Sequence, residues 1–379
     1  MSNMRDLAIA TVNLLNLQVP GGVTYDADKP EIPDTEEGRA VYGRRIAWLA
    51  RTVERLDADI ICFQELWSRR ALEDVFTQVE DAGAYDLVAR DAPALGKPQV
   101  ALAVRRNRDG SARLLPGADW IADFPETFRL QGLRENFGAK EEISVSIAAF
   151  SRPVLVARIQ PEGRSPTPPP VTVYGCHLKS KGGTQLAEVR RGSDTVLDHH
   201  YAIASAVVSH ARRTIEAGAL RALLDARMTS VEAEDLSPTI VLGDLNDGTL
   251  SVSTELITGQ PSYRLFAKST AGATADKGLY TVETLQQYRS QRDVYYTYIF
   301  GNKMESLDHI LVSEEFYDHS RKRRWSFHEL EIWNDHINTN EKRRAKTLGS
   351  TDHGIVRAYF DWNPIADQLT RIAQDDARP

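Results

Sequence analysis

A chain of 379 residues, 42% hydrophobic and 26% charged, carries enough apolar side chain for a sizeable core and excludes a disordered or fibrous polymer. A formal net charge of −7 excludes a protein that coats nucleic acid through its whole surface, yet it is compatible with an enzyme that must release a polyanionic product. Two cysteines, Cys62 and Cys176, both inside apolar runs, read as small buried thiols and not as a disulfide framework.

The first residues show no basic flank followed by a long apolar stretch, so the chain as written reads as cytoplasmic, or as secreted where a leader has been removed. No run approaches the roughly 20 apolar residues of a membrane span. Short runs rich in Val, Ile and Leu, bounded by Gly, Pro, Asp or Asn, predict strands over residues 7–13, 59–64, 100–104, 171–176, 239–242, 307–312 and 354–359. Between the first two, Ala40, Ile46, Leu49, Val53 and Leu56 approximate one apolar face and predict a helix over 36–56. A helical insert around 184–230, carrying His199 and His200, separates the fourth and fifth strands. The prolines of 160–170 predict a hairpin loop, because strand signals resume on both sides. Basic clusters at 321–324 and 342–346 are either solvated charged faces or phosphate-backbone contacts. Residues after 362 form a terminal tail, and one domain over 1–379 accommodates the whole pattern.

The chemistry lies where the strands end. Asn13 follows Ile9-Ala10-Thr11-Val12, Glu65 follows Ile60-Ile61-Cys62-Phe63-Gln64, and His177 follows Val173-Tyr174-Gly175-Cys176. Asp244 and Asn246 follow Ile240-Val241-Leu242-Gly243, Asp308 opens His309-Ile310-Leu311-Val312, and Asp352-His353 precede Gly354-Ile355-Val356. Singly, each has an ordinary explanation as a turn, a cap or a buried histidine. Together they converge on one chemical type, since packed strands deliver their ends to a shared rim. Carboxylates and amide oxygens without cysteine favour Mg²⁺, Mn²⁺ or Ca²⁺ over zinc. Cleaving a phosphate ester needs a cation on a non-bridging oxygen, a deprotonated water and help for the leaving alkoxide, and this inventory supplies candidates for each.

The ordered motifs resemble the endonuclease/exonuclease/phosphatase superfamily of DNase I-like enzymes over about residues 8–360. Within it, Thr11-Val12-Asn13-Leu14-Leu15-Asn16, His177-Leu178-Lys179-Ser180-Lys181-Gly182, Gly243-Asp244-Leu245-Asn246-Asp247, Leu307-Asp308-His309-Ile310-Leu311 and Asp335-His336-Ile337-Asn338-Thr339-Asn340-Glu341 look most like the catalytic domain of bacterial extracellular nucleases. The resemblance implies an α/β fold, a four-layer sandwich of two packed mixed sheets flanked by helices. It implies Glu65 as main metal ligand, with Asn13 and Asp352 in support. Asp244 then activates water, Asn246 holds the phosphate, His353 oriented by Asp308 stabilises developing charge, and His177 contacts phosphate or assists the leaving group. Lys179 and Lys181 become phosphate contacts. One departure is Trp67 in Gln64-Glu65-Leu66-Trp67-Ser68, where the nuclease subgroup carries a polar Asn nearby.

The leading expectation is therefore a divalent-metal-dependent endonuclease acting on DNA, and possibly RNA, by in-line attack of water. The alternative is a phosphoesterase of the same superfamily acting on a phospholipid headgroup or an inositol phosphate, for which Trp325 and Trp333 are the available bilayer-facing aromatics. A third reading is a non-catalytic binding module, against which the completeness of the eight strand-end positions argues. One or two bound metals remain open, and no protein partner is inferable.

Overall fold

The computed structural model describes residues 6–26, 28–91, 96–130, 133–134, 142–143, 145–162, 167–184, 186, 198–228, 238–261, 278–289, 296–300, 303–337 and 349–364. In chain order the elements are β1 (Leu7–Leu17), α1 (Glu36–Leu56), β2 (Ile60–Leu66), α2 (Arg69–Phe76), β3 (Tyr85–Val88), β4 (Gln99–Arg105), β5 (Asp119–Asp123), β6 (Leu133–Arg134), β7 (Glu142–Ile143), β8 (Ala149–Ile159), β9 (Val171–His177), α3 (Asp198–Met228), β10 (Thr239–Asp244), α4 (Val252–Thr258), β11 (Tyr280–Thr281), α5 (Val282–Arg289), β12 (Tyr298–Phe300), β13 (Lys303–Glu305), β14 (Asp308–Val312), β15 (Trp325–Trp333) and β16 (Ile355–Trp362).

Period-two alternation sorts each central strand onto two apolar faces, which is why these runs read as almost unbroken hydrophobic stretches. Leu7 and Ile9 of β1, and Ile60 and Cys62 of β2, point into a core shared with Ile240 and Leu242 of β10. Ala8, Ala10 and Val12 turn the other way, onto Ile46, Leu49 and Val53 of α1. Val241 turns from β10 onto Ala217, Leu220 and Leu224 of α3. The outcome is the expected four-layer sandwich: two six-stranded mixed sheets, ordered β15-β16-β1-β2-β4-β3 and β11-β14-β10-β9-β8-β5, face to face with helices outside. Gly175 marks a close approach of the sheets, where a Cβ would come within 2.8 Å of Val100 and 3.0 Å of Cys62.

Helix α1 has the predicted bounds. Thr35 caps it by accepting from the Gly38 amide, Glu36 and Glu37 sit at its positive end, and Arg55 at its negative end. The predicted hairpin is present, with Ile159 paired to Val171. Of the expected insert, α3 supplies outer-layer core residues, whereas 187–197 and 229–230 lie outside the described residues, as do the 342–346 cluster and the tail beyond 364.

β1 and β2 run parallel, as do β9 and β10, and a hydrogen bond from Asn13 to Asp244 shows that both pairs end at one rim. The 321–324 cluster precedes β15, whose first residue pairs with Trp362 at the end of β16, so it sits at the opposite end from His353. That removes phosphate contact at the rim as its reading and leaves a solvated face. A cavity of about 1040 Å³ also opens at this far end, lined by Asp57, Asp59, Arg105, Arg113 and His328 among others.

Candidate active site

Register places three of the expected residues in one row. Asp244 is paired with His177 on one side and with Asp308 on the other, so the three side chains leave neighbouring strands in the same direction. The row depends on Gly243, whose φ is +139° and where a Cβ would lie 2.0 Å from the Cys176 carbonyl oxygen. His353, just before β16 in the other sheet, closes the row: its Nδ1 lies 2.9 Å from Asp308 Oδ2 and its Nε2 4.0 Å from Asp244 Oδ2. Thr297 Oγ1 accepts the Asp308 amide at 3.2 Å, and Thr351 Oγ1 accepts that of His353 at 3.2 Å.

Asp244 is held from both sheets. Its Oδ2 accepts from Asn13 Nδ2 at 3.1 Å and its Oδ1 from the Asn246 amide at 2.8 Å. Asn13 Oδ1 in turn accepts the Leu15 amide at 2.9 Å, and Asn246 Nδ2 donates to the Leu178 carbonyl at 3.1 Å. Asn13, expected near the metal, is thus tied directly to Asp244.

Strain concentrates at the same rim. Leu15, Asn16, Glu65 and Asn246 have φ of 49°, 54°, 59° and 55°, four of the six non-glycine residues with positive φ among the described residues. Each such conformation costs on the order of 1–3 kcal/mol and persists because its surroundings over-determine it. Register breaks between Asn13 and Leu17 of β1 and between Phe63 and Leu66 of β2 coincide with the first three, and the bulge aims Glu65 at the rim, where its Oε2 accepts the Asn16 amide at 2.9 Å. Arg45 of α1, 2% exposed, pins the bulge by donating to the carbonyls of Leu14 and Leu15. Burial pulls its guanidinium down to about 10, against the attraction of Glu31, Glu65 and Asp352.

The electrostatics separate the two imidazoles. Burial, with Arg152 and His353 nearby, holds His177 well below the usual histidine range, hence neutral. Its Nδ1 has no hydrogen-bond partner among the described residues, and its Nε2 lies 3.6 Å from Asp244 Oδ2. Burial also opposes the His353 cation, but Asp308, Asp244 and Asp352 outweigh it and drive its pKa up. The Asp244 carboxyl is raised by burial and by Asp308 and Glu65, with His353 pulling the other way.

Ligand atoms of Asp244, Asp308 and His353 fall within 4.8 Å of one another, a cluster able to hold a metal ion. The carboxylate oxygens of Asp244 and Asp308 suit a hard divalent cation, and the burial and carboxylate repulsion that raise Asp244 are of the kind a nearby cation relieves.

The two lysines are placed differently. Lys181 Nζ is 2.7 Å from Glu305 and 3.7 Å from Asp247, so its charge is engaged within the protein. Lys179 Nζ donates to Ser180 Oγ and the Gly182 carbonyl, and burial with Arg152 lowers its pKa. Sequence reasoning missed Arg45, Arg152 and Tyr25. A charged residue inside the apolar run of β8 was the available signal for Arg152; its Nη1 donates to the Leu178 carbonyl at 3.0 Å and its Nη2 to Tyr25 Oη at 3.3 Å. Nothing in the pattern of α1 singles out Arg45.

The sequence model of the Endonuclease/Exonuclease/phosphatase family matches residues 40–353. No curated protein matches the sequence. Among solved structures, the chain is similar to ANGEL2, described as a 2',3'-cyclic phosphatase in complex with adenosine-2',3'-vanadate, at 14% identity over 93% of this chain and 95% of that one, with a TM-score of 0.51. It is similar to an endonuclease/exonuclease/phosphatase family protein from Leptotrichia buccalis at 15% identity, covering 94% and 100% of the two chains, with a TM-score of 0.48. Similarity to TDP2 from C. elegans is 13% in identity over 94% and 75% of the chains, with a TM-score of 0.49. At such identities the likeness is one of fold.

Proposed function

The chain belongs to the Endonuclease/Exonuclease/phosphatase family of phosphoester hydrolases, and on that premise we propose that it is a divalent-metal-dependent phosphodiesterase, an endonuclease cutting DNA and by the same chemistry RNA. The observation that carries this reading is Asp244: a buried carboxylate held by Asn13 and the Asn246 amide, between an imidazole kept neutral and one kept cationic. Neighbouring groups whose environments push their pKa values apart are the signature of divided acid and base roles.

In this reading Asp244 takes the proton of the attacking water, which its two hydrogen bonds aim at the phosphorus. His353, fixed by Asp308, places positive charge where the transition state gains negative charge, and His177 offers an uncharged N–H to a phosphate oxygen. Asn246 holds the scissile phosphate. Mg²⁺, Mn²⁺ or Ca²⁺ held by Glu65, with Asp352 and Asn13 in support, supplies Lewis acidity when bound. Lys179, close enough to share the field of Arg152 with His177, is the candidate contact for a flanking phosphate. The whole chain acts as one catalytic domain.

The phospholipid reading is less well supported. Trp325 is fully buried, and Trp333 carries the guanidinium groups of Arg55 and Arg357 on its ring, so neither offers a bilayer-facing wedge. Supercoiled plasmid, a single-stranded oligonucleotide, sphingomyelin and an inositol phosphate assayed side by side with Mg²⁺ test the proposal. Nicking of the plasmid, abolished in Asp244→Asn and His353→Ala with unchanged circular dichroism, is expected. Hydrolysis confined to the lipid or inositol substrate overturns the nuclease assignment, and near-wild-type activity of either variant overturns the site.

A further inference from the structure

Between β1 and α1 the chain lays Tyr25 across the rim. Tyr25 is 56% exposed, whereas Trp67 behind it is 5% exposed, and the two rings meet edge to face at 4.9 Å and 84°. Two arms clamp this pair. On one side Trp67 Nε1 donates to Asn16 Oδ1 at 3.0 Å, and the Asn16 amide donates to Glu65 Oε2 at 2.9 Å. On the other, Tyr25 Oη accepts from Arg152 Nη2 at 3.3 Å, and the same guanidinium reaches the Leu178 carbonyl that Asn246 Nδ2 also uses. The ring thus spans the gap between the residue assigned to the metal and the residue assigned to the phosphate, with an arginine at its edge.

We propose that Tyr25, backed by Trp67, is a stacking ledge for an unpaired nucleobase beside the scissile phosphate, an assignment that rests on the nuclease reading. An exposed phenol fixed at its hydroxyl and its edge offers one flat face with little rotamer freedom to lose, which suits another aromatic ring. An acyl chain would call for an apolar basin, and here the neighbour is a guanidinium. A base inside a duplex is already stacked on its neighbours, so the ledge favours single strands and frayed ends.

The test compares KM and kcat for a single-stranded oligothymidine and for a strand of equal length built from abasic residues, in wild type, Tyr25→Ala and Tyr25→Phe, all with Mg²⁺. Tyr25→Ala is expected to raise KM for the oligothymidine by about 5- to 150-fold, the loss of one base-aromatic stack, with kcat little changed. On the abasic strand its KM should match that of wild type. Tyr25→Phe, which keeps the ring and loses the hydroxyl, should restore most of the affinity for the oligothymidine. An unchanged KM in Tyr25→Ala, or an equal rise on both strands, overturns the ledge while leaving the nuclease reading intact. Cleavage of neither strand by wild type that hydrolyses another phosphoester overturns the nuclease reading and the ledge's substrate class with it.

Discussion

Replacing Asp308 by Asn removes the charge that keeps His353 protonated and leaves the shape almost unchanged. The two groups meet at 2.9 Å in a buried site, and Asp308 is the largest influence raising the histidine's pKa against its burial. A buried hydrogen bond to a charged group is worth about 1.5–3 kcal/mol, and about 1.4 kcal/mol corresponds to one pKa unit, so His353 should become more acidic by about one to two units. A group raised in the folded state stabilises fully below its unfolded pKa, about 6.5 for histidine, and that contribution is lost as pH rises through the folded value. The wild type should therefore lose stability from about pH 6.5 upward until the raised folded value is passed, and Asp308→Asn should begin that loss at the same pH, end it at a lower one and lose less in all. Imidazole NMR titration of the metal-free proteins reads the shift directly. In the presence of Mg²⁺, kcat should fall by about 100-fold and the alkaline limb of its pH profile should move to lower pH. An unshifted His353 titration together with an unmoved alkaline limb would refute the argument that Asp308 acts through charge.

Gly243→Ala should destabilise by more than about 3 kcal/mol in urea unfolding, because the new methyl meets the Cys176 carbonyl at a φ of +139°; a mild effect would mean that β9 and β10 can part. Chelation with EDTA should abolish hydrolysis and Mg²⁺ or Mn²⁺ should restore it, and activity persisting after exhaustive chelation would exclude the metal-assisted mechanism. His309 is fully buried, yet Glu283 at 3.2 Å overrides that burial and lifts it to about 9. Its contribution to stability is present below about 6.5 and lost as pH rises through about 9, so His309→Gln should flatten thermal stability between those values, as calorimetry at stepped pH would show.

Local pattern was enough for the central strands and for the polar residues that end them, whereas the sandwich followed from the resemblance of the ordered motifs. A strand buried on both faces must be apolar along its length, so the polar residue that ends it stands out: Asn13 after Val12, Asp244 after Gly243, His353 before Gly354. For the same reason α1 was legible to its ends, since its caps and its apolar face are local. Strands such as β5, with no buried residue, and β15, whose buried Trp325, Phe327 and Leu330 are separated by partly exposed ones, left no such run.

The division of labour among the site residues was not local. Asn13 and Asp244 are 231 positions apart, and Arg152 and Tyr25 are 127 apart, so no spacing rule joins them. Which imidazole is neutral and which is charged follows from who lies beside each one: Arg152 near His177, Asp308 against His353. The positive φ of Glu65 arises where β1 and β2 both slip register, a property of two strands and of the buried Arg45 that holds them. The sequence by itself determined which chemical groups reach the rim, because period and burial are written along the chain. Only the tertiary structure decided their charges and partners, because those depend on distance through space.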